Sequence, residues 1–119
     1  MIRTLALALL TVPLPATAYV SSEGHEYLAS CRDDALVLRS EYPITRIIEN
    51  GANTKHVKGT EAITLSADCS ALTDTFGYGN WSWTNGGFWI SFPAYEIRFP
   101  RQELYCAEEP AVIDGRCGS

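Results

Sequence analysis

Trp89 and Arg98 are the residues of this chain whose types best suit recognition. Tryptophan and arginine dominate binding hot spots, and a guanidinium laid over an indole gains a cation–π attraction. Arg101, in the stretch "FPRQE" at 99–103, adds a cation just past a strand that Pro100 ends. His56 sits in "NTKHVKG" between Lys55 and Lys58, with no serine or cysteine motif of a hydrolase around it. A triad of His56, an aspartate and one of the scattered serines is the enzymatic alternative, because triads assemble in space and not in sequence. The carboxylate pairs Asp33-Asp34 and Glu108-Glu109 are adjacent, so on a strand their members point to opposite faces and do not share a substrate. No Cys-x-x-Cys occurs, and His25 and His56 lie at no ligand-like spacing. The sequence therefore offers no metal site, no cofactor and no catalytic residue to name.

Cys31, Cys69, Cys106 and Cys117 are even in number, and the amino terminus sends them to an oxidising compartment. Met1-Ile2-Arg3 carries one positive charge, Leu5 to Val12 is an almost unbroken apolar run, and Ala16-Thr17-Ala18 satisfies the small-x-small rule of a cleavage site. The run is shorter than the roughly 20 residues that span a bilayer, and Pro13 ends it. Residues 1–18 thus read as a cleaved secretory signal and not as a membrane anchor. Tyr19, not cysteine, follows the cut, which excludes a lipoprotein. The expected location is secreted or periplasmic, with two disulfides and three possible connectivities. The pairing Cys31–Cys69 with Cys106–Cys117 is preferred, because its second bond closes a short terminal loop holding Pro110 and the Asp114-Gly115 turn.

These residues must be positioned by the domain that remains at 19–119. Runs rich in β-branched and aromatic residues alternate there with turn residues roughly every 8 to 12 positions, the pattern of an all-β fold. The expectation is a small antiparallel sandwich or barrel of about 7–8 strands, stapled by disulfides. Strands are expected near 25–31, 35–40, 44–49, 55–58, 61–66, 79–84, 88–92 and 95–99, with turn signals at Asp33-Asp34, Asn50-Gly51 and Asn85-Gly86. Cys69 to Thr75 can hold one short helical turn, and 107–119 reads as an extended arm held back by its disulfide.

The aromatic stretch "NWSWTNGGFWISF" at 80–92 yields to register arithmetic. A two-residue turn at Asn85-Gly86 sets Trp83 opposite Phe88, Ser82 opposite Trp89 and Trp81 opposite Ile90. A tight turn at Pro93-Ala94 sets Phe92 opposite Tyr95, Ile90 opposite Ile97, Phe88 opposite Phe99 and Trp89 opposite Arg98. One face then carries Trp81, Trp83, Phe88, Ile90, Phe92, Tyr95, Ile97 and Phe99, which is a core. The other carries Asn80, Ser82, Thr84, Ser91, Glu96, Arg98 and, out of pattern, Trp89. Trp89 is either covered by a neighbouring loop or the second sheet or exposed and stacked on Arg98; in the second case Trp89 and Arg98, with Arg101 as a loop contact, are the candidate binding surface. Asn80-Trp81-Ser82 is formally a glycosylation sequon, discounted for its place inside a strand.

Loss of Arg3 with the signal leaves 8 basic against 14 acidic residues, a formal charge of −6 where the full chain has −5. That balance argues against nucleic acid and anionic lipid as partners. It is compatible with a cationic protein partner and also with an ordinary solubility device; the partner class expected is an envelope or extracellular protein or glycan, and the oligomeric state stays open.

The layout "SCRDDALVLRSEYP", "KGTEAITLSADC", "GYGNWSWTNGGFWISF" and "IRFPRQE" resembles uncharacterised small secreted proteins of alphaproteobacteria, a resemblance that implies a single exported domain and no activity. A weaker resemblance is to periplasmic C-type lysozyme inhibitors, small disulfide-bearing β-barrels. Trp83-Thr84-Asn85-Gly86 stands where that family's inhibitory Trp-x-Lys-Gly-like segment would fall, with asparagine in place of lysine. The two functional classes that follow are a non-catalytic binding or inhibitor module and, as the alternative, a small hydrolase built on His56.

Overall fold

Leu36 and Leu38 turn inward from one strand, Ile63 and Leu65 turn inward from its neighbour, and this two-residue alternation builds the whole molecule. The computed structural model describes residues 18–32, 34–106 and 117. Its strands are β1 (Ala18–Val20), β2 (Glu26–Arg32), β3 (Ala35–Ser40), β4 (Ile44–Asn50), β5 (Asn53–Gly59), β6 (Ala62–Ser66), β7 (Ser70–Thr73), β8 (Gly77–Thr84), β9 (Gly87–Phe92) and β10 (Tyr95–Pro100). Eight of them form one antiparallel sheet in the order β1-β2-β3-β6-β7-β8-β9-β10, while β4 and β5 form a separate hairpin between β3 and β6. Every sheet neighbour is thus the next strand in the chain, apart from that excursion.

The sheet curls until its ends almost meet, so the open choice between sandwich and barrel resolves to a barrel. The Ser22 amide donates to the Arg98 carbonyl at 2.8 Å across the seam. Gln102 completes the join: its Oε1 accepts from the Val20 amide at 2.7 Å, and its Nε2 donates to the Val20 carbonyl at 2.6 Å. A side-chain amide here does the work of a peptide unit. Eight strands enclose a space that side chains fill, and Tyr27, Leu36, Leu38, Ile63, Leu65, Trp81, Phe88, Ile90, Ile97 and Phe99 fill it. Phe88 and Phe99 stack at 4.6 Å between centroids, and the Trp81 indole N–H donates to the Ser66 carbonyl at 2.8 Å.

Both tight-turn registers are found as the arithmetic sets them, including Trp81 opposite Ile90 and Trp89 opposite Arg98. Of the eight apolar residues on the inner face, Trp83 and Tyr95 are partly covered and the other six are buried. Three local expectations change. The helical turn at Cys69–Thr75 is instead β7, where Ala71 and Thr73 are buried and Ser70 and Leu72 are not. Asp68 prepares that strand by accepting from the Ser70 amide and hydroxyl at 3.0 and 2.6 Å. Asn50 belongs to β4 and pairs with Asn53, which leaves Gly51 and Ala52 as the turn, with Gly51 at φ 64°. Ala18–Val20 adds β1, too short to signal itself. Asp33, Glu108-Glu109, the arm apart from Cys117, and signal residues 1–17 lie outside the described residues.

The expected disulfide pairing is wrong. Cys31 bonds Cys106 and Cys69 bonds Cys117, with Cα separations of 6.1 and 5.4 Å. The reason is barrel closure. After β10 the chain crosses the mouth at β1, where the Tyr105 amide donates to the Tyr19 hydroxyl at 3.0 Å. Tyr19 pairs with Tyr27 on β2, the strand that carries Cys31, so Cys106 is delivered to Cys31. Cys117 lies further along and bonds Cys69 in the β6–β7 turn. Leu104, Cys106 and Cys117 are buried, so these side chains cover the mouth that the two disulfides staple.

Candidate functional site

The opposite mouth is closed by one guanidinium. Arg46 projects from the root of the β4–β5 hairpin and is 4 % exposed. Its Nε and Nη2 donate to the two oxygens of Glu61 at 3.0 and 2.8 Å, and Nη2 also donates to the Tyr27 hydroxyl at 3.2 Å. Its Nη1 donates to Glu23 Oε1 and to the Tyr95 hydroxyl, both at 3.0 Å. All five N–H groups of the fork are therefore used. Tyr27 donates to Glu61 Oε1 at 2.7 Å, Tyr95 donates to Glu23 Oε2, and the ring of Tyr95 lies 5.0 Å below the guanidinium, stacked on Phe76. Burial disfavours the Arg46 charge, yet the hydrogen bonds and charge of Glu61, with help from Glu23, outweigh it and hold the group more basic than usual. Burial and the adjacent Glu61 push the Tyr27 hydroxyl far above the ordinary tyrosine range.

Of this cluster the sequence placed only Tyr95, as a core residue, although a signal for Arg46 was present. Ile44, Arg46 and Ile48 alternate on one face of β4, and an arginine within an apolar set is a buried charge in search of a partner. Glu61, 5 % exposed, is that partner.

On the outside of the barrel the structure brings Trp89 and Arg98 together. The Arg98 guanidinium lies 4.5 Å from the centre of the Trp89 ring. Glu96 fixes it there, accepting from Arg98 Nε at 2.9 Å and Nη2 at 2.8 Å. Trp89 is half-buried and Arg98 exposed, so the pair forms a low aromatic platform on a polar face, with Ser82 on the other flank and Ser91 beyond. Arg101 stands at the end of β10 with φ 57°, its amide donating to the Gly86 carbonyl. It belongs to the same edge of the meander, next to the β8–β9 turn.

His56 is placed elsewhere, exposed on β5 opposite Ile47. Among the described residues no serine or carboxylate is hydrogen-bonded to its side chain. Among them, too, no three His, Cys, Asp or Glu side chains are grouped to hold a metal. A cleft of about 220 Å³ opens beside the hairpin root between Gly24-His25-Glu26 and Tyr42-Pro43-Ile44.

Comparison with protein-family models, with curated proteins and with solved structures found no match for the chain. The two disulfides fit an oxidising, non-cytoplasmic compartment. No helix among the described residues is long and apolar enough to cross a membrane.

Proposed function

We propose that this protein is a secreted or periplasmic, non-catalytic binding or inhibitor module that meets an envelope or extracellular protein or glycan on the outside of its barrel. Trp89 and Arg98 form the centre of the contact, with Arg101 at its edge. The observation that carries this reading is the guanidinium held 4.5 Å from the Trp89 ring on an otherwise polar face. Such a pair offers a flat, rigid, amphipathic surface at little entropic cost, because Glu96 already restrains the arginine. The packed interior agrees with it, because large buried side chains such as Trp81, Phe88 and Phe99 occupy the barrel. Removal of a signal at Ala18 and the acidic balance of the remaining chain agree with capture of a cationic partner, a lysozyme among the candidates that the inhibitor resemblance raises.

Envelope extract passed over immobilised protein tests the proposal. The wild type is expected to retain a partner that Trp89→Ala and Arg98→Ala release, and equal capture by all three removes this face from consideration. Unfolding keeps the result interpretable: Trp89→Ala is expected to cost no more than about 1–2 kcal/mol, whereas Trp81→Ala costs about 3–5.

A further inference from the structure

The β4–β5 hairpin has two open edges, and their chemistry differs. The two-residue turn Gly51–Ala52 makes Asn50–Asn53 its closing pair, which is a hydrogen-bonded one, and bonded pairs then alternate down the ladder. Thr45, Ile47 and Glu49 therefore aim their amides and carbonyls away from β5, and Thr54, His56 and Lys58 aim theirs away from β4. The side chains of the same six residues are exposed, Ile47 by 60 %. Among the described residues no backbone hydrogen bond reaches either edge from outside the hairpin. The root is fixed by Arg46, so the strand is held out in an extended form.

Charge separates the edges. β5 presents Lys55, His56 and Lys58, and edge lysines are a standard guard against strand addition. Two β5 strands paired about His56 would bring four lysines along one seam. β4 has no such guard: its Arg46 is consumed by Glu61 and Glu23, and Glu49 is its remaining charge. We propose that β4 is a self-recognition edge and that its occupant is β4 of a second copy of this chain, paired antiparallel about a two-fold axis at Ile47. In that register Ile47 meets Ile47 of the second copy, and each Thr45 lies opposite a Glu49, hydroxyl donor to carboxylate acceptor. The outward amides and carbonyls of Thr45, Ile47 and Glu49 in each chain satisfy one another, and the two acidic residues stay apart. The product is a closed four-stranded ribbon between two barrels, whereas pairing β4 with β5 of another copy would propagate without closing. The partner is thus identified by self-complementarity, independently of the Trp89 face.

Sedimentation velocity over a concentration series of the disulfide-bonded chain tests this. The wild type is expected to pass from monomer to dimer. Ile47→Pro removes an outward amide that the hairpin does not use, and is expected to stay monomeric throughout. His56→Pro, which removes an outward amide on the other edge, is expected to dimerise as the wild type does. If Ile47→Pro fails to keep the wild-type unfolding midpoint, Ile47→Lys replaces it with the same expectation. A wild type that is monomeric at every concentration, an Ile47 variant that dimerises normally, or a His56 variant that loses the dimer each overturns the proposal.

Discussion

Arg46 is buried with every N–H of its guanidinium engaged, so its loss is costly. Its removal leaves Glu61 charged, buried and deprived of two donors, a situation that costs about 3–5 kcal/mol in other proteins. Arg46→Ala is expected to lose that much in denaturant unfolding, and Arg46→Met with Glu61→Leu to recover most of it, since the pair itself is a weak net stabiliser. Tyr27 adds a pH dependence of definite sign. Its hydroxyl ionises in the unfolded chain near the ordinary value of 10.0 but at a higher pH in the folded one. Above pH 10.0 the unfolded state therefore binds fewer protons, and stability present below that pH falls as pH rises, by up to about 1.4 kcal/mol per pH unit. Titration of the unfolding free energy between neutral and strongly alkaline pH checks this, and Tyr27→Phe is expected to flatten the slope. At this scale the sequence shows Trp89 and Arg98 as neighbours because cross-strand parity fixes them. It does not join Arg46 to Glu61, Glu23, Tyr27 and Tyr95, since those residues come from loops and strands that meet only when the sheet curls.

The β8–β9–β10 meander shows why some elements are legible. Two tight turns and a strict alternation leave a single register that puts Trp81, Phe88, Ile90 and Phe99 on one side, because a slip of one residue would expose them all. β7 gave no comparable signal: four residues, one of them the exposed Leu72, form a strand only because β6 and β8 flank them. Backbone crowding within the meander makes a sharp test. A Cβ on Gly87 would collide with the Phe99 carbonyl of β10 and crowd the Arg101 amide, which the Gly86 carbonyl holds in place. Gly87→Ala is expected to cost about 1–3 kcal/mol, while Gly59→Ala, with open space around it, changes stability little. Paired thermal melts decide between them.

For the whole molecule, the sequence identified an all-β, disulfide-bonded domain but not how its cysteines pair. Loop length favoured a local Cys106–Cys117 bond, whereas closure of the barrel carries Cys106 to Cys31, 75 residues away. A peptide map under non-reducing conditions is expected to link Cys31 with Cys106 and Cys69 with Cys117. Replacing both Cys69 and Cys117 by alanine is expected to remove about 2–5 kcal/mol.

The Gln102 seam also orders events in time. Strand pairs β1–β2 through β9–β10 can each form soon after their residues emerge, but Val20 waits for a partner 82 residues later. Both sulfur links wait longer still. Synthesis from the amino end thus leaves the sheet unlatched until the last segment arrives, and a chain truncated after Pro100 would keep the Ser22–Arg98 bond across the seam but lose the Gln102 latch and both sulfur links.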